Sequence, residues 1–241
     1  MLAIIGGTGF YSWPLLHEMM ELQVQTPYGS ACYSEGKHQG RPFIFLPRHG
    51  ALHSLAPHEI NYRANIYALQ KAGVSKILAV HSVGALTTAL SPGELVMVDD
   101  FIDFSFCRKS SFFQEGERVE HTDMCGAYDQ AFIQEIAACA HVAGVDLKVG
   151  GVYFCTHGPR FETPAEVRMM GQLGGTVVGM TGYPEVALAK EAGMAYASLC
   201  VVTNLGAGLS EPLDFAQITQ VREKCQSEVL KILNVVAQRI P

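Results

Sequence analysis

An aromatic ring, a carboxylate and a primary amide are the groups in this sequence that could bind a flat heterocycle. Phe161 and Glu162 follow a turn at residues 158–159, directly after the apolar run 152–155, which predicts a strand. Asn204 ends another apolar run, and α/β sheets build their binding sites at such strand ends. The ring could stack on a heterocycle while the polar pair hydrogen-bonds its edge. Taken alone, a segment such as the one that contains Phe161 and Glu162 is more often a surface loop with a buried phenylalanine.

Two further segments offer groups that could bind an anion. Residues 6–9 read Gly-Gly-Thr-Gly after the apolar run 2–5, and such a turn brings backbone N–H groups close to a bound anion. Arg48 and His49 follow the run 42–46, and arginine is the preferred side chain for bidentate contact with an oxyanion. Each signal alone is weak, because a solvated arginine beside a turn histidine is the more common arrangement.

The glycine-rich turn has an alternative role in a dinucleotide-binding fold, which would make the protein a nicotinamide-dependent oxidoreductase. That fold needs a third glycine and an acidic residue that closes a second strand about twenty residues later. Neither follows Gly9 in the sequence. The oxidoreductase therefore stays a minor alternative from a different functional class.

Composition and charge narrow the classes of partner. With 241 residues and 49% hydrophobic residues, the chain is long enough for one large domain with an ample core. The net charge of −6 provides no basic field for nucleic acid or an anionic membrane. The seven cysteines are odd in number and lack metal-ligand spacing, so neither disulfides nor a metal site are expected. Without a long apolar stretch, we expect a soluble, cytoplasmic protein.

Hydrophobic periodicity predicts strands that alternate with helices. Strands are predicted at residues 2–5, 31–35, 42–46, 74–80, 95–98, 149–155, 176–180 and 195–202. Helices are predicted at residues 59–72, 127–142, 164–170 and 184–192, and a final helix is capped by Asp214. Residues 101–122 are expected to form an irregular loop with a functional or interface role. The pattern predicts one α/β domain, residues 1–241, with a central mixed β-sheet flanked by helices.

Eight collinear segments resemble the trimeric purine nucleoside phosphorylases and methylthioadenosine phosphorylases, over nearly the whole chain. They are Ile5-Gly-Gly-Thr-Gly9, Leu46-Pro-Arg-His-Gly-Ala-Leu-His53, Asn61-Tyr-Arg-Ala-Asn65, Ser82-Val-Gly-Ala-Leu86, Pro92-Gly-Glu94, Gly158-Pro-Arg-Phe-Glu-Thr-Pro-Ala-Glu166, Met180-Thr181 and Pro184-Glu-Val-Ala-Leu-Ala-Lys-Glu-Ala-Gly193. The resemblance implies a nucleoside phosphorylase-like fold and a homotrimer. It also implies phosphorolysis, in which inorganic phosphate attacks C1′ of a purine nucleoside and releases the base.

The resemblance assigns roles to individual residues. Phosphate is expected to be held by Thr8, Arg48, His49, Ser82 and Thr181. Met180 is expected beneath the ribose and Phe161 beside the base, and the catalytic residues would be Asn204, Glu162 and His49. No cofactor or nucleophilic side chain is needed, because phosphate itself stabilises an oxocarbenium-like transition state while the site stabilises the departing purine.

Glu162 and Asn204 match the pattern of relatives that act on 6-oxopurines. The carboxylate accepts the N1–H of hypoxanthine or guanine, and the amide can donate to O6 and accept from N7–H. Adenine-specific relatives carry aspartate at the position of Asn204, and an ionised aspartate cannot donate to O6. The alternative for Asn204 is an amide that only bonds the local backbone.

The residues expected around the 5′ substituent are apolar. Relatives that bind a 5′-hydroxyl carry a histidine early in the last helix, but no histidine follows His157 here. Leu213, Phe215 and Ile218 occupy that region, and His121 resembles a residue that relatives contribute from the neighbouring subunit. The sequence therefore predicts phosphorolysis of S-methyl-5′-thioinosine, which would give hypoxanthine and 5-methylthioribose 1-phosphate.

Other functions remain open at this point. Within the same class, the alternatives are an inosine/guanosine phosphorylase and a methylthioadenosine phosphorylase. A nucleoside-binding protein without catalytic activity is a further alternative. Two residues depart from the family pattern: His81 stands where threonine or asparagine is usual, and Ala85 replaces a more common glycine or serine. These departures concern the geometry of the phosphate loop.

Overall fold

The computed structural model describes residues 1–10, 17–50, 53–113, 120–210 and 212–240. Within these ranges all strands belong to one sheet, and helices pack against it. Residues 114–119 of the predicted irregular loop lie outside them. No helix of the described ranges is both long and apolar enough to cross a membrane.

The predicted α/β fold with a mixed sheet is confirmed. The strands of the described ranges are β1 (Leu2–Gly6), β2 (His17–Thr26), β3 (Gly29–His38), β4 (Arg41–Pro47), β5 (Lys76–Ala85), β6 (Leu95–Val98), β7 (Asp100–Phe104), β8 (Lys148–Val149), β9 (Val152–Thr156), β10 (Val177–Gly179) and β11 (Ala195–Leu205). The helices are α1 (Tyr62–Lys71), α2 (Gln130–Val142), α3 (Pro164–Gln172), α4 (Gly182–Glu191) and α5 (Phe215–Arg239). The main path through the sheet has the order β2-β3-β4-β1-β5-β10-β9-β7, and β11 also pairs with β5.

Three strands end beside the middle of β5. β1 pairs with β5 in parallel only as far as Ile5 opposite Ala79, and parallel β4 ends level with β1. Further along the same side of β5, antiparallel β10 pairs through Val178 opposite Gly84, while β11 pairs along the other side. The carboxyl ends of β1, β4 and β10 therefore meet around residues 80–84. A change of strand direction within an open sheet leaves a crevice at this point, where α/β proteins bind ligands.

β11 brings Asn204 to the same crevice. It runs parallel to β5, and a register shift after Val202 sets Asn204 opposite Gly84. Such bulges often re-aim a side chain beside a site. A Cβ atom on Gly84 would lie 3.2 Å from Asn204 Nδ2, so glycine leaves room for the amide.

The final helix begins where its cap predicts. Asp214 accepts hydrogen bonds from the backbone N–H groups of Ala216 and Gln217, an arrangement that stabilises a helix by about 1 kcal/mol. The buried face of α5 consists of Cys225, Val229, Ile232, Leu233, Val236 and Ala237, and it packs against α2 and β11. The first turn projects beyond this face, since Phe215 is 63% exposed. This projection makes the first turn available to the crevice.

The structure divides the predicted strand 149–155 into β8 and β9, and two further strands, β7 and β2, were not predicted. Residues 101–104, expected in an irregular loop, belong to β7, which pairs in parallel with β9. Its mixture of aromatic and acidic residues lacks a clear apolar face, so tertiary pairing rather than local pattern makes it a strand. Among the described strands, β2 pairs only with β3, at the edge of the sheet. Apolar Leu22 and Val24 alternate there with polar residues over too few positions to give a strong signal.

Candidate functional site

A cavity of about 270 Å³ lies at the crevice beside the middle of β5. It is close to the lower size limit of small-molecule pockets, roughly 300 Å³. The predicted site residues that line it are Thr8, Arg48, His49, Ser82, Phe161, Glu162, Met180, Thr181, Asn204, Leu213, Phe215 and Ile218. The structure thus brings together residues from both ends of the chain. Their individual roles in binding and catalysis stay predictions.

His121 is the predicted site residue that does not line this cavity. It is exposed on its own chain. An exposed position is what a contribution to the site of a neighbouring subunit would need, and that contribution also stays a prediction. Among the described residues, no group of three or more His, Cys, Asp or Glu side chains could hold a metal ion.

Arg48 forms a buried ion pair that the sequence did not predict. Its Nε and Nη2 donate to Glu185 Oε2 and Oε1 at 2.8 and 2.9 Å, and Nη1 donates to the carbonyl of Val80 at 2.9 Å. Arg48 and Glu185 are 1% and 2% exposed. Burial opposes the charge of Arg48, but the carboxylate of Glu185 more than offsets this, so the pKa of Arg48 is raised.

The ion pair leaves Arg48 without an unoccupied pair of N–H groups for bidentate contact with an oxyanion, while its predicted role in binding phosphate stays a prediction. The Nε–H and one Nη2–H of the guanidinium already donate to the two carboxylate oxygens of Glu185. Nη2 also lies 3.3 Å from His81 Nε2. Of the five N–H groups of arginine, one on Nη1 remains for a ligand. Glu185 lies in α4, far from Arg48 in sequence, and nothing local in its helix indicates a buried partner.

The glycine-rich turn packs directly on this arginine. Arg48 N donates to the carbonyl of Gly6 at 2.9 Å, and Ser82 Oγ donates to the carbonyl of Thr8 at 3.2 Å. A Cβ atom on Gly7 would lie 2.7 Å from both Arg48 Nη1 and the Val80 carbonyl oxygen. Glycine is required at residue 7 because of this close approach. The turn, the arginine and Ser82 therefore form one wall of the cavity.

His49 is held as a neutral ring with one defined tautomer. Its Nδ1 lies 2.9 Å from the carbonyl oxygen of Leu55, which can only accept, so Nδ1 carries the proton and Nε2 has a lone pair. Burial lowers the pKa of His49 to about 4, and the positive charge of Arg48 acts in the same direction. An anion bound beside Nε2 would favour its protonation.

The two residues predicted to recognise the base make local hydrogen bonds in the structure. Glu162 Oε1 accepts from Thr156 Oγ1 at 2.7 Å, which orients the carboxylate at the end of β9. Asn204 Nδ2 donates to the carbonyl of Leu205 at 2.9 Å, and its Oδ1 accepts from Thr203 Oγ1 at 2.9 Å. The local-backbone alternative for Asn204 is thus present, yet one N–H and one lone pair remain available.

The first turns of α5 contribute both apolar and polar groups. Phe215 packs edge-on against Phe161, with ring centroids 5.6 Å apart at an interplanar angle of 70°. Thr219 and Arg222 also line the cavity and are not among the predicted site residues. Their spacing from Phe215, i+4 and i+7, places all three on one helix face, and this periodicity is the signal that could have found them.

A model of the phosphorylase superfamily matches residues 1–237 of the chain. The chain belongs to this superfamily. Curated relatives in it carry two kinds of name. A protein of Moorella thermoacetica named a probable 6-oxopurine nucleoside phosphorylase is 44% identical over 92% of this chain and 86% of its own. A protein of Methanothermobacter thermautotrophicus named a probable S-methyl-5′-thioinosine phosphorylase is 42% identical over 97% of this chain and 82% of its own.

The fold of this phosphorylase also matches solved structures. Methylthioadenosine phosphorylase from Schistosoma mansoni, in complex with adenine, superposes with a TM-score of 0.94 at 30% identity. The match covers 99% of this chain and 91% of that one. The protein is therefore an enzyme of the purine nucleoside and methylthioadenosine phosphorylase type, a pentosyltransferase. The predicted family, fold class and enzyme class are confirmed.

Proposed function

We propose that this phosphorylase cleaves S-methyl-5′-thioinosine with inorganic phosphate, giving hypoxanthine and 5-methylthioribose 1-phosphate. The observation that carries this proposal is the composition of the cavity. It combines anion donors, the base-recognition pair Glu162 and Asn204, and the apolar side chains Leu213, Phe215 and Ile218. Relatives named for the thioinosine substrate support the same conclusion.

The base-recognition pair favours a 6-oxopurine over adenine. After its local hydrogen bonds, Asn204 retains one N–H that can donate to O6 and one lone pair that can accept from N7–H. Glu162, held by Thr156, offers a carboxylate oxygen to N1–H. Adenine has no N1–H and presents an amino group where hypoxanthine presents O6, so it would leave the remaining N–H of Asn204 unpaired.

Phosphate is proposed to act as the attacking nucleophile without a cofactor. The cavity presents hydroxyls from Thr8 and Thr181, the remaining Nη1–H of Arg48, the ring of His49, and the Ser82 hydroxyl once its proton turns away from the Thr8 carbonyl. No cysteine is among the described residues that line it. The buried cysteines 155 and 200 would be poor nucleophiles in any case, because burial raises the pKa of each thiol to about 12. Chemistry by positioning and charge stabilisation is consistent with this lining.

The apolar side chains favour a methylthio group over a hydroxyl at the 5′ position. A hydroxyl buried against Leu213, Phe215 and Ile218 without a partner loses hydrogen bonds to water, at a cost of roughly 1–3 kcal/mol. Burial of the methyl and sulfur stabilises the thio substrate by roughly 1–2 kcal/mol. Both effects act in the same direction. S-Methyl-5′-thioinosine should therefore exceed inosine by roughly 10²–10³ in kcat/KM.

Thr219 and Arg222 favour a second candidate, a 6-oxopurine nucleoside phosphorylase. Both are polar, both line the cavity, and either could bond a 5′-hydroxyl. The name of the Moorella relative also supports this candidate. Thr219→Val distinguishes the two substrates, because it should impair inosine cleavage selectively if Thr219 bonds the hydroxyl and should leave thioinosine cleavage unchanged.

The proposed assembly is a homotrimer. Phe106, Leu173 and Met169 are 63%, 52% and 38% exposed, an unusual exposure for large apolar side chains. Phe106 and Met169 also line a second hollow, together with Phe104 and Met170. A neighbouring subunit would cover this surface and could supply His121 to the adjoining site. Sedimentation equilibrium should give about three chain masses, and a single-chain mass under assay conditions would contradict the trimer.

The function is tested by assaying S-methyl-5′-thioinosine, inosine and methylthioadenosine side by side, with and without phosphate. We expect base release to need phosphate or arsenate and to be fastest with the thioinosine. Phe215→His should narrow the gap to inosine by adding a donor near the 5′ position, with Phe215→Leu as the matched apolar control. Equal kcat/KM for inosine and thioinosine in the wild type would overturn the substrate assignment.

A further inference from the structure

His81 is a buried histidine in the wall of the cavity with polar partners on both ring nitrogens. It is 1% exposed and lies in the middle of β5. Nδ1 lies 3.1 Å from Thr181 Oγ1, and Nε2 lies 3.3 Å from both Arg48 Nη2 and the hydroxyl of Tyr196. His81 and Thr181 both line the cavity. The ring thus connects the buried ion pair to a hydroxyl that faces the ligand space.

The contacts on Nε2 determine which nitrogen carries the proton. Arginine nitrogens only donate, so the Nη2–H of Arg48 that points at His81 needs a lone pair on Nε2. The hydroxyl of Tyr196 gives its proton to Glu185 Oε1 at 2.7 Å and does not require one from His81. A proton on Nε2 would face the Nη2–H of Arg48. His81 therefore carries its proton on Nδ1, and this N–H donates to Thr181.

The groups around His81 also keep the ring neutral. Burial lowers its pKa well below the ordinary value, and the charge of Arg48 acts in the same direction. Glu185 faces Nε2 at 3.9 Å, but its charge is already compensated by Arg48. The single ring proton is thus available for one contact only.

The hydroxyl of Thr181 has one proton, and His81 determines where it points. Thr181 is the N-cap residue of α4, yet its side chain makes no capping hydrogen bond. Because Oγ1 accepts from His81, its own proton must point elsewhere, and no acceptor for it lies among the residues that the structure describes. The remaining direction is the cavity that Thr181 lines. A ligand oxygen there would receive this hydrogen bond.

We propose that His81 is a positioning residue for phosphate: its Nδ1–H fixes the Thr181 hydroxyl so that Thr181 donates to an oxygen of the bound anion. This inference rests on the proposed phosphorolysis, because it assigns the anion at this wall as the attacking phosphate. It gives a physical role to a buried histidine that was not among the predicted site residues. Asparagine shares with His81 the ability to donate from the δ position.

Two amide substitutions separate the two sides of the ring. In His81→Asn, the amide can donate from the position of Nδ1, and in His81→Gln it reaches the position of Nε2 instead. We expect His81→Gln to raise the KM for phosphate about tenfold, the effect of one lost hydrogen bond, with the KM for nucleoside within about twofold. His81→Asn should restore the phosphate KM to within about threefold of the wild type.

A double-mutant cycle with Thr181→Val shows whether the histidine acts through the hydroxyl. We expect the effects of His81→Gln and Thr181→Val on the phosphate KM to be non-additive, so that the double variant is no worse than Thr181→Val alone. His38→Gln is the matched control, since His38 is buried in β3 outside the cavity and its loss should leave the phosphate KM unchanged. Additive effects, or equal increases in both KM values, would overturn the inference.

A measurement on the unmodified protein keeps the inference testable if His81→Gln does not fold. In ¹⁵N-histidine NMR spectra, the His81 resonances are those present in the wild type and absent from His81→Asn. They should show the neutral form with the proton on Nδ1. A proton on Nε2, or on both nitrogens, would refute the role of His81. The wild-type assay separates this inference from the proposed function. Base release without phosphate overturns both, whereas phosphate dependence with an additive cycle overturns only the positioning role.

Discussion

Replacing Arg48 by methionine should destabilise the fold first and affect catalysis second. Arg48 is enclosed by Glu185, Val80 and His81, so its removal leaves the carboxylate of Glu185 buried at 2% exposure without its charged partner. Tyr196 still donates one hydrogen bond to that carboxylate, but a neutral donor does not balance its charge. This substitution should therefore lower the stability of the folded protein in addition to weakening phosphate binding.

The magnitude follows from the burial of both partners. Removing one member of a buried ion pair costs roughly 3–5 kcal/mol, because an uncompensated charge remains in the interior. A chain of this size changes its melting temperature by roughly 2–4 °C per kcal/mol. Arg48→Met should thus lower Tm by roughly 6–20 °C. That loss is a large fraction of the 5–15 kcal/mol by which proteins are typically stable.

The double variant Arg48→Met/Glu185→Leu separates charge burial from function. It removes both charges together, so it should be more stable than Arg48→Met, although it still lacks the donor to Val80. It should not regain activity, since the remaining Nη1–H of Arg48 is lost in both variants. Stability should be compared by urea unfolding at one protein concentration, because assembly would change the apparent stability.

The matched control is an exposed ion pair. Lys231 and Glu228 lie 2.7 Å apart with side chains 55% and 38% exposed, so Lys231→Ala should leave the unfolding free energy nearly unchanged. An unfolding free energy of Arg48→Met within about 1 kcal/mol of the wild type would contradict this prediction. A double variant less stable than Arg48→Met by the full cost of Glu185→Leu alone would also contradict it, because the two side chains would then be uncoupled.

Two further predictions concern specificity and pH. Asn204→Asp should reduce 6-oxopurine nucleoside cleavage by roughly 10⁴ or more, because an ionised carboxylate repels O6, and retained preference for hypoxanthine nucleosides would contradict the role of Asn204. The free energy of unfolding should fall as pH drops from about 6.5 to about 4, because the unfolded chain then protonates His49 while burial keeps it neutral in the fold. The His49 contribution is about 3 kcal/mol at most. Urea unfolding should show a shallower fall for His49→Asn, which keeps a donor to Leu55, and an unchanged pH dependence would refute this assignment.

Much of the site could be predicted because its residues follow strands. A buried strand gives a strong apolar signal, and the polar residue that ends it must lie at the sheet edge. Thr8, Arg48 and Asn204 were located in this way, and β6 matches its predicted bounds. The register shift that sets Asn204 opposite Gly84 could not be predicted, because it depends on pairing with β5 rather than on local sequence.

Glu185 and Thr219 show what local patterns miss. A glutamate early in a helix is usually solvated and interacts with the helix N-terminus, so only the fold reveals that Glu185 points at an arginine 137 residues away in sequence. Thr219 lies on the same helix face as Phe215. A single polar residue beside the apolar stripe of α5 gives no local signal that it lines a cavity. In both cases the missing information is tertiary.

The charges around the cavity largely cancel, and this has a consequence for phosphorolysis as proposed. Arg48 is compensated by Glu185, and both His49 and His81 are kept neutral by burial. Phosphate would then meet mostly neutral hydrogen-bond donors, with Arg222 as a further cation in the lining, and His49 would donate only once the bound anion has favoured protonation of its Nε2. A strongly positive site would bind phosphate more tightly but would also oppose the positive charge that develops on the ribose. Only interactions that are stronger in the transition state accelerate the reaction. Neutral, preorganised donors hold phosphate without neutralising its negative charge, so this charge can stabilise the oxocarbenium-like ribosyl group.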